Sequence, residues 1–355
     1  MMRRRPVVLL LALLALTACW TALLIRGSAF TLAEADQVLT AVPAALALTL
    51  LTGRAGQVSL AQAALLALGG FCAGIIGGFW NVPFIVVLIL AMIVGGAAGL
   101  VASLPAFRLG GFYLALSTLT LYYVVYYALQ SLQNAGPEQL TGYGVPSAVV
   151  GIALTSEADW YVALTVIVAL CVIVLARMFR SDIGRAWSAI SHNELAASIT
   201  GIEISKYKMA AFAISSAFVS LSGVLSAYQI GRVTIDQYTL GMAITYYAMI
   251  VIGGIGSITG AIVGATLVTL LPYWTANIAG LLPQQMPLAR SLSDNIGYTS
   301  DLVVSLITIG VLVVAPQGLV GLGTALIRRM RNAKIGDSAI LDACQQMAER
   351  VKGRA

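Results

Sequence analysis

Few residues in this sequence could do chemistry, and most of those that could stand together. The stretch SAISHNELAASITGIEISKYK (188–208) holds the sole histidine, His192, with Glu194, Glu203, Lys206 and Lys208. One histidine outside the apolar segments supports neither a Ser–His triad in the membrane nor a histidine-based metal site. The cysteines Cys19, Cys72, Cys171 and Cys344 stand singly, with no CxxC or zinc spacing. They read as small buried hydrophobes, and no metal or disulfide framework is expected. Glu157 and Asp159 read as a solvated acidic face of a loop. The glycine-rich run VIGGIGSITGAIVGA (251–265) lacks the Gly-Lys-Ser/Thr of a phosphate loop and falls inside an apolar segment, so ATP binding is not expected there. Its spacing supplies Gly256, Gly260 and Gly264 instead, small residues four apart on one helix face that let helices pack closely.

Two groups of neutral polar residues stand inside or beside apolar runs. Gln57, Ser59 and Gln62 lie at the start of a glycine-rich run, and Tyr122, Tyr123, Tyr126 and Tyr127 crowd the end of another. Residues four apart share a face, so Tyr122 pairs with Tyr126 and Tyr123 with Tyr127. A buried polar group is costly without a partner. Gln57, Ser59 and Gln62 therefore serve either as interhelical hydrogen-bonding groups or, with a local helix break, as the lining of a solute path. Tyr122 and Tyr126 are candidates for the same path, and an interfacial aromatic belt is the competing reading. Tyr246 and Tyr247 raise the same pair of readings.

The elements that position these residues are built for lipid. Of 355 residues, 59% are hydrophobic and 10% charged, with a mean hydropathy of +0.93; a soluble domain carries about 25% charged residues. Such a chain is an integral membrane protein, and no nucleic-acid partner is expected. Apolar stretches long enough to cross a bilayer recur at 6–25, 37–53, 60–79, 83–104, 111–129, 160–179, 209–229, 240–257, 260–280 and 300–321. A backbone in lipid must satisfy its own hydrogen bonds, which predicts an all-α, polytopic helical bundle with about ten transmembrane helices. The arginine-led start has the look of a signal peptide, but its apolar run is of spanning length with no small-residue cleavage site, so it reads as a retained first helix. Residues 60–79, with five glycines, read as the helix most open to being broken or re-entrant.

Charge sets the orientation. With the N-terminus inside, the inner segments hold Arg3, Arg4, Arg5, Arg54, Arg108, Arg177, Arg180, Arg185, Lys206, Lys208, Arg328, Arg329, Arg331, Lys334, Arg350, Lys352 and Arg354, and the outer ones only Arg26, Arg232 and Arg290. This 17-to-3 split of the 20 basic residues follows the positive-inside rule and puts both termini in the cytoplasm. The expected organisation is a transmembrane domain over 1–330, with a cytoplasmic loop at 180–208, and a cytoplasmic tail over 331–355. The tail reads as a surface anchor or a solvated end. Polar segments 130–159 and 281–298 fall outside. No Asp, Glu or Lys lies deep within a predicted span, which argues against a self-sufficient proton- or sodium-coupled carrier.

The 180–208 loop reads as two short helices. Asp182 is placed to cap the first, and Ser191 with Glu194 has capping-box spacing for the second. NELAASIT is then ended by Gly201. A short capped helix with small residues suits insertion into a groove on a partner protein; a solvated connector is the plainer alternative.

The pattern Glu194-x-Ala196-Ala197-x-x-x-Gly201-Ile202 resembles the coupling-helix motif of bacterial ABC-importer permeases. Its surroundings, IGRAWSAISHNELAASITGIEISKYKMAAFAISS, more narrowly resemble the LivM-type permeases of branched-chain amino acid importers. GQVSLAQAALLALGG (56–70), RLGGFYLALSTLTL (108–121), VIGGIGSITGAIVGA (251–265) and APQGLVGLG (315–323) resemble further segments of that family, in order. The chain departs from the pattern at Ala61-Gln62, where Gly-His is common, at Ala315, where Arg often stands, and at Thr141-Gly142-Tyr143, where the family has Thr-Gly-Gly. The resemblance implies a transport subunit and not an enzyme, in a bacterial inner membrane, with Glu194, Ala196, Ala197, Gly201 and Ile202 as its ATPase-coupling residues. It implies cytoplasmic ATPase partners that hold ATP and Mg, no cofactor on this chain, a second permease of similar fold, and an extracytoplasmic substrate-binding protein. The implied cargo is a small polar solute, first a branched-chain amino acid, with urea, short amides and other small metabolites as alternatives.

Overall fold

In the computed structural model the described residues are 32–107, 111–135, 142–145, 157–281 and scattered positions between 302 and 321. The predicted first span at 6–25, the 281–298 loop beyond its first residue and the 331–355 tail lie outside them. Ten α-helices are described: α1 Leu32–Leu48, α2 Gln62–Cys72, α3 Phe84–Ser103, α4 Gly111–Ala135, α5 Glu157–Arg180, α6 Asp182–His192, α7 Glu194–Ile199, α8 Ile204–Ile230, α9 Leu240–Gly253 and α10 Ile258–Leu281. α1 and α2 each widen at their C-terminal ends into π-helical stretches, Thr49–Arg54 and Ala73–Phe79. Six helical stretches are long and apolar enough to cross a membrane: Ala33–Arg54, Gln62–Phe79, Phe84–Ala106, Gly111–Ala135, Asp159–Arg180 and Ile204–Ile230. α9 and α10 occupy the predicted spans 240–257 and 260–280, with the first ending early, at Gly253.

α8 stands at the centre, packed on α1, α2 and α3. Serines inside a membrane helix must find acceptors, and those of α8 use the carbonyls of their neighbours. Ser215 donates to Ala47 O at 2.9 Å, Ser220 to Leu65 O at 2.9 Å, and Ser222 to Thr40 O. Toward α3, Ser220 and a further serine of α8, Ser216, meet glycines: a side chain at Gly95 would run into Ser220 and one at Gly99 into Ser216. This small-on-small seam lets two helices approach closely. α3, α4 and α5 form the outer layer, mostly exposed. Their outward residues recur at helical spacing: Ile85, Ile89 and Ile93 on α3, and Val162, Val166 and Leu170 on α5. An apolar stripe of that kind suits lipid.

Contacts tie connecting segments together at the two ends of the bundle. At one end, Tyr143–Gly144 (β1) pairs antiparallel with Arg232–Val233 (β2), with Tyr143 opposite Val233 and Gly144 opposite Arg232. This joins the 130–159 segment to the segment that holds Arg232, both predicted to lie outside. At the other end the Arg54 guanidinium lies 4.9 Å from the centre of the Phe179 ring and donates to Ser188 Oγ at 3.4 Å, joining predicted inner segments.

Candidate functional site: a helical loop and the segment it touches

The 180–208 loop forms two helices, as its pattern predicts, but with different caps. Ser181, one residue before Asp182, caps α6 by accepting from Gly184 N at 3.5 Å. Asn193 caps α7 by accepting from Ala196 N at 3.1 Å. Ser191 lies in the last turn of α6 and donates to Ser188 O at 3.0 Å, so the capping box does not form. The reason is that α6 runs through to His192, leaving Asn193 as the first extended residue. At the far end the expected glycine stop is present. Gly201 has φ +85°, its N–H donates to Ser198 O at 3.0 Å, and Ile202 N donates to Ala197 O at 3.2 Å, the paired bonds of a Schellman motif.

The bundle grips this loop from within. Trp187 is fully buried and its indole N–H donates to Tyr207 O at 2.8 Å, tying α6 to the first turn of α8. A side chain at Gly184 would collide with Met178 O and Phe179, so α6 folds tightly onto the end of α5. Ala197 is buried, and Lys208 Nζ lies 2.8 Å from Glu194 Oε1. What faces outward on α7 is Leu195, 77% exposed, and Ile199, 87% exposed, with Ala196 also exposed. Residues four apart share one face, so the two apolar side chains form a single outward knob.

Gln57, Ser59 and Gln62 are all buried, and they lie on or just after a non-helical segment between α1 and α2. The helix break falls at 55–61, before the glycine cluster, which itself remains helical. Gln62 Nε2 donates to Ala44 O at 3.2 Å, ten residues before Arg54. At about 1.5 Å per residue, α2 begins about 15 Å up the bundle from the Arg54 end. Side chains of two other helices hold the climb. Ser59 N donates to Tyr247 Oη at 2.8 Å while Tyr247 Oη donates to Ser59 O at 2.6 Å. Leu60 N donates to Thr118 Oγ1 at 2.9 Å. Gln57 Nε2 donates to Ala55 O at 3.2 Å, while Gln57 Oε1 is buried with no protein partner.

The tyrosines of α4 divide by face. Tyr122 is buried, donates to Tyr238 O at 3.1 Å, and packs with Ala63, Ala64 and Ala243. Tyr126, half-buried, lies against the same group, its ring centre 5.7 Å from that of Tyr122. Tyr123 and Tyr127 are exposed. The structure therefore brings Ser59, Gln62, Tyr122 and Tyr126 to one neighbourhood around the start of α2, and adds Thr118 and Tyr247. Thr118 went unsingled by sequence because threonine is common in apolar helices. Trp187 could have been found from the apolar spacing of Ile183, Ala186, Trp187 and Ile190.

Gly256, Gly260 and Gly264 do not share one helix. Gly256 lies in the turn between α9 and α10 with φ +81°, which a residue with a side chain rarely adopts, and stacks on Gly53 of the π-helical stretch after α1. Gly260 and Gly264 are on α10 and close-pack against α9: a side chain at Gly264 would strike Met249 O, and one at Gly260 would crowd Gly253 O. The four-residue spacing is real, but the helix starts two residues after Gly256.

These features define a multi-pass helical membrane protein with a compact helical loop at one end. The chain belongs to the family described as branched-chain amino acid transport system / permease component, which it matches over residues 35–315. It is 28% identical over 288 residues to the high-affinity branched-chain amino acid transport system permease protein LivM of Salmonella typhimurium, covering 74% of this chain and 66% of that protein. It is 25% identical over 357 residues to the LivM protein of Escherichia coli, covering 93% of this chain and 78% of that protein. A shorter match, 26% over 149 residues, links 39% of this chain to 38% of the xylose transport system permease protein XylH of Escherichia coli. No solved structure matches the chain.

Proposed function

We propose that this chain is the membrane-spanning permease subunit of an ABC importer in a bacterial inner membrane, carrying a small polar solute, most directly a branched-chain amino acid. Separate ATPase subunits hold the ATP and Mg and supply the energy. A second permease of similar fold completes the membrane part, and an extracytoplasmic binding protein delivers the solute. The observation that carries this reading is α7. It is a short helix held from behind by Ala197 and Lys208 and presenting Leu195 and Ile199 to the outside, which suits insertion into an apolar groove of a partner.

A path from that knob to the bundle interior supports the same reading. A side chain at Gly56 would come within 3.1 Å of Ser191 Cβ, so α6 touches the non-helical segment that leads to Ser59, Gln62 and Tyr122. Motion of the loop is then passed to the start of α2. That helix directs the positive end of its dipole into the bundle, an arrangement that suits an anionic group on the solute.

Reconstitution with the ATPase subunits and binding protein tests the reading: ATP-dependent accumulation of labelled leucine, isoleucine or valine is expected. The similarity to a xylose permease supports a second cargo class. ATP-driven uptake of a sugar with no uptake of these amino acids would replace the amino acid reading while keeping the permease one.

A further inference from the structure

We propose that Lys208 is a positioning residue that locks α7 to the foot of α8 through Glu194, so that the Glu194 charge is engaged within this chain and not by the ATPase. The inference rests on the permease reading above and deepens it.

Two other ion pairs of this region, Arg185–Asp182 and Lys206–Glu203, join residues three apart with all four side chains largely exposed. Such pairs add little. Lys208–Glu194 is different. It joins two helices across 14 positions, the Nζ to Oε1 distance is 2.8 Å, and the lysine side chain is only 6% exposed against 49% for the glutamate. An ammonium group so buried is costly unless a carboxylate meets it. Asn193, and not Glu194, caps the helix, which leaves the carboxylate available to turn inward.

The neighbouring contacts place the lock where a push would matter. Tyr207, next to Lys208, accepts the Trp187 indole N–H on its carbonyl at 2.8 Å. α6 and α7 therefore grip the same turn of α8 with two adjacent residues. α8 is in turn hydrogen-bonded to α1 and α2 through Ser215, Ser220 and Ser222. The residues of α7 thus divide their roles: Leu195 and Ile199 face outward for the partner, while buried Ala197 and the half-exposed Glu194, through Lys208, pass the load to the central helix.

A charge-reversal cycle tests this in the full reconstituted transporter, with solute taken up per ATP hydrolysed as the readout. Glu194→Lys and Lys208→Glu alone are expected to lower that ratio about tenfold, and the double reversal to return within about threefold of the parent, since neighbouring groups are non-additive when they interact directly. If the ATPase reads Glu194, the double reversal stays as inactive as Glu194→Lys, and the proposal falls. Normal coupling in Lys208→Met also overturns it. A thermal-unfolding cycle on the purified full chain, with the same three variants, reads the pair without transport. Recovery in the double variant supports the lock, and additive losses overturn it. A parent complex that fails to couple ATP to uptake strikes the permease reading alone, and the unfolding cycle still decides the pair.

Discussion

Asn193 decides where α7 begins, and its neighbours show how narrowly such a point is set. Its side chain takes the N–H of Ala196 while Ser191 bonds within α6. Asn193→Ala is expected to cost about 1 kcal/mol, and Ser191→Ala much less, in thermal unfolding of the detergent-solubilised chain. At Gly201 the left-handed backbone, φ +85°, lies in open space. Gly201→Ala therefore carries only conformational strain, about 1–2 kcal/mol, and Gly201→Asn less, because asparagine visits that region more readily. Among the described residues Trp187 is the largest fully buried side chain; Trp187→Ala is expected to cost about 3–5 kcal/mol and to free α6 from Tyr207.

The helices themselves were legible in the sequence because lipid permits little else. Eight of the ten predicted spans fall on α1–α5 and α8–α10. The irregular pieces were not. The non-helical segment 55–61 carries no Pro and only one glycine, Gly56; its backbone is held by Tyr247 and Thr118, residues far away in sequence. Tyr247→Phe removes both the donor and the acceptor that hold Ser59. A buried group left unpaired costs about 1–3 kcal/mol, so a loss of that order for each is expected in thermal unfolding, with reduced uptake in reconstituted vesicles. The capping positions shifted by one or two residues because helix length, not motif spacing, fixes where extended backbone starts. Gly256 left the helix for the same reason. The Glu194–Lys208 pair could not be read from spacing at all, since it depends on α7 folding back across the start of α8. The close seam of Gly95 and Gly99 with Ser216 and Ser220 is written in four-residue spacing on both helices. Gly99→Leu is expected to lower stability by about 1–3 kcal/mol through overpacking.

The molecule is organised around α8: buried helices beside it, lipid-suited helices outside, paired strands at one end and the α6–α7 loop at the other. The loop is braced by α5 and α8 and touches the segment that starts α2, so its outward knob is mechanically continuous with the bundle interior. Leu195→Asp with Ile199→Asp is expected to abolish capture of the ATPase subunits by the purified permease while leaving membrane insertion intact. ATP-driven accumulation of leucine in proteoliposomes carrying the complete complex is the most direct measurement of all. Accumulation is expected only with ATP, the ATPase subunits and the parent α7 together, and is lost with the Leu195→Asp and Ile199→Asp pair. Equal accumulation by this chain without any ATPase subunit would show a self-sufficient carrier or channel and contradict the permease reading.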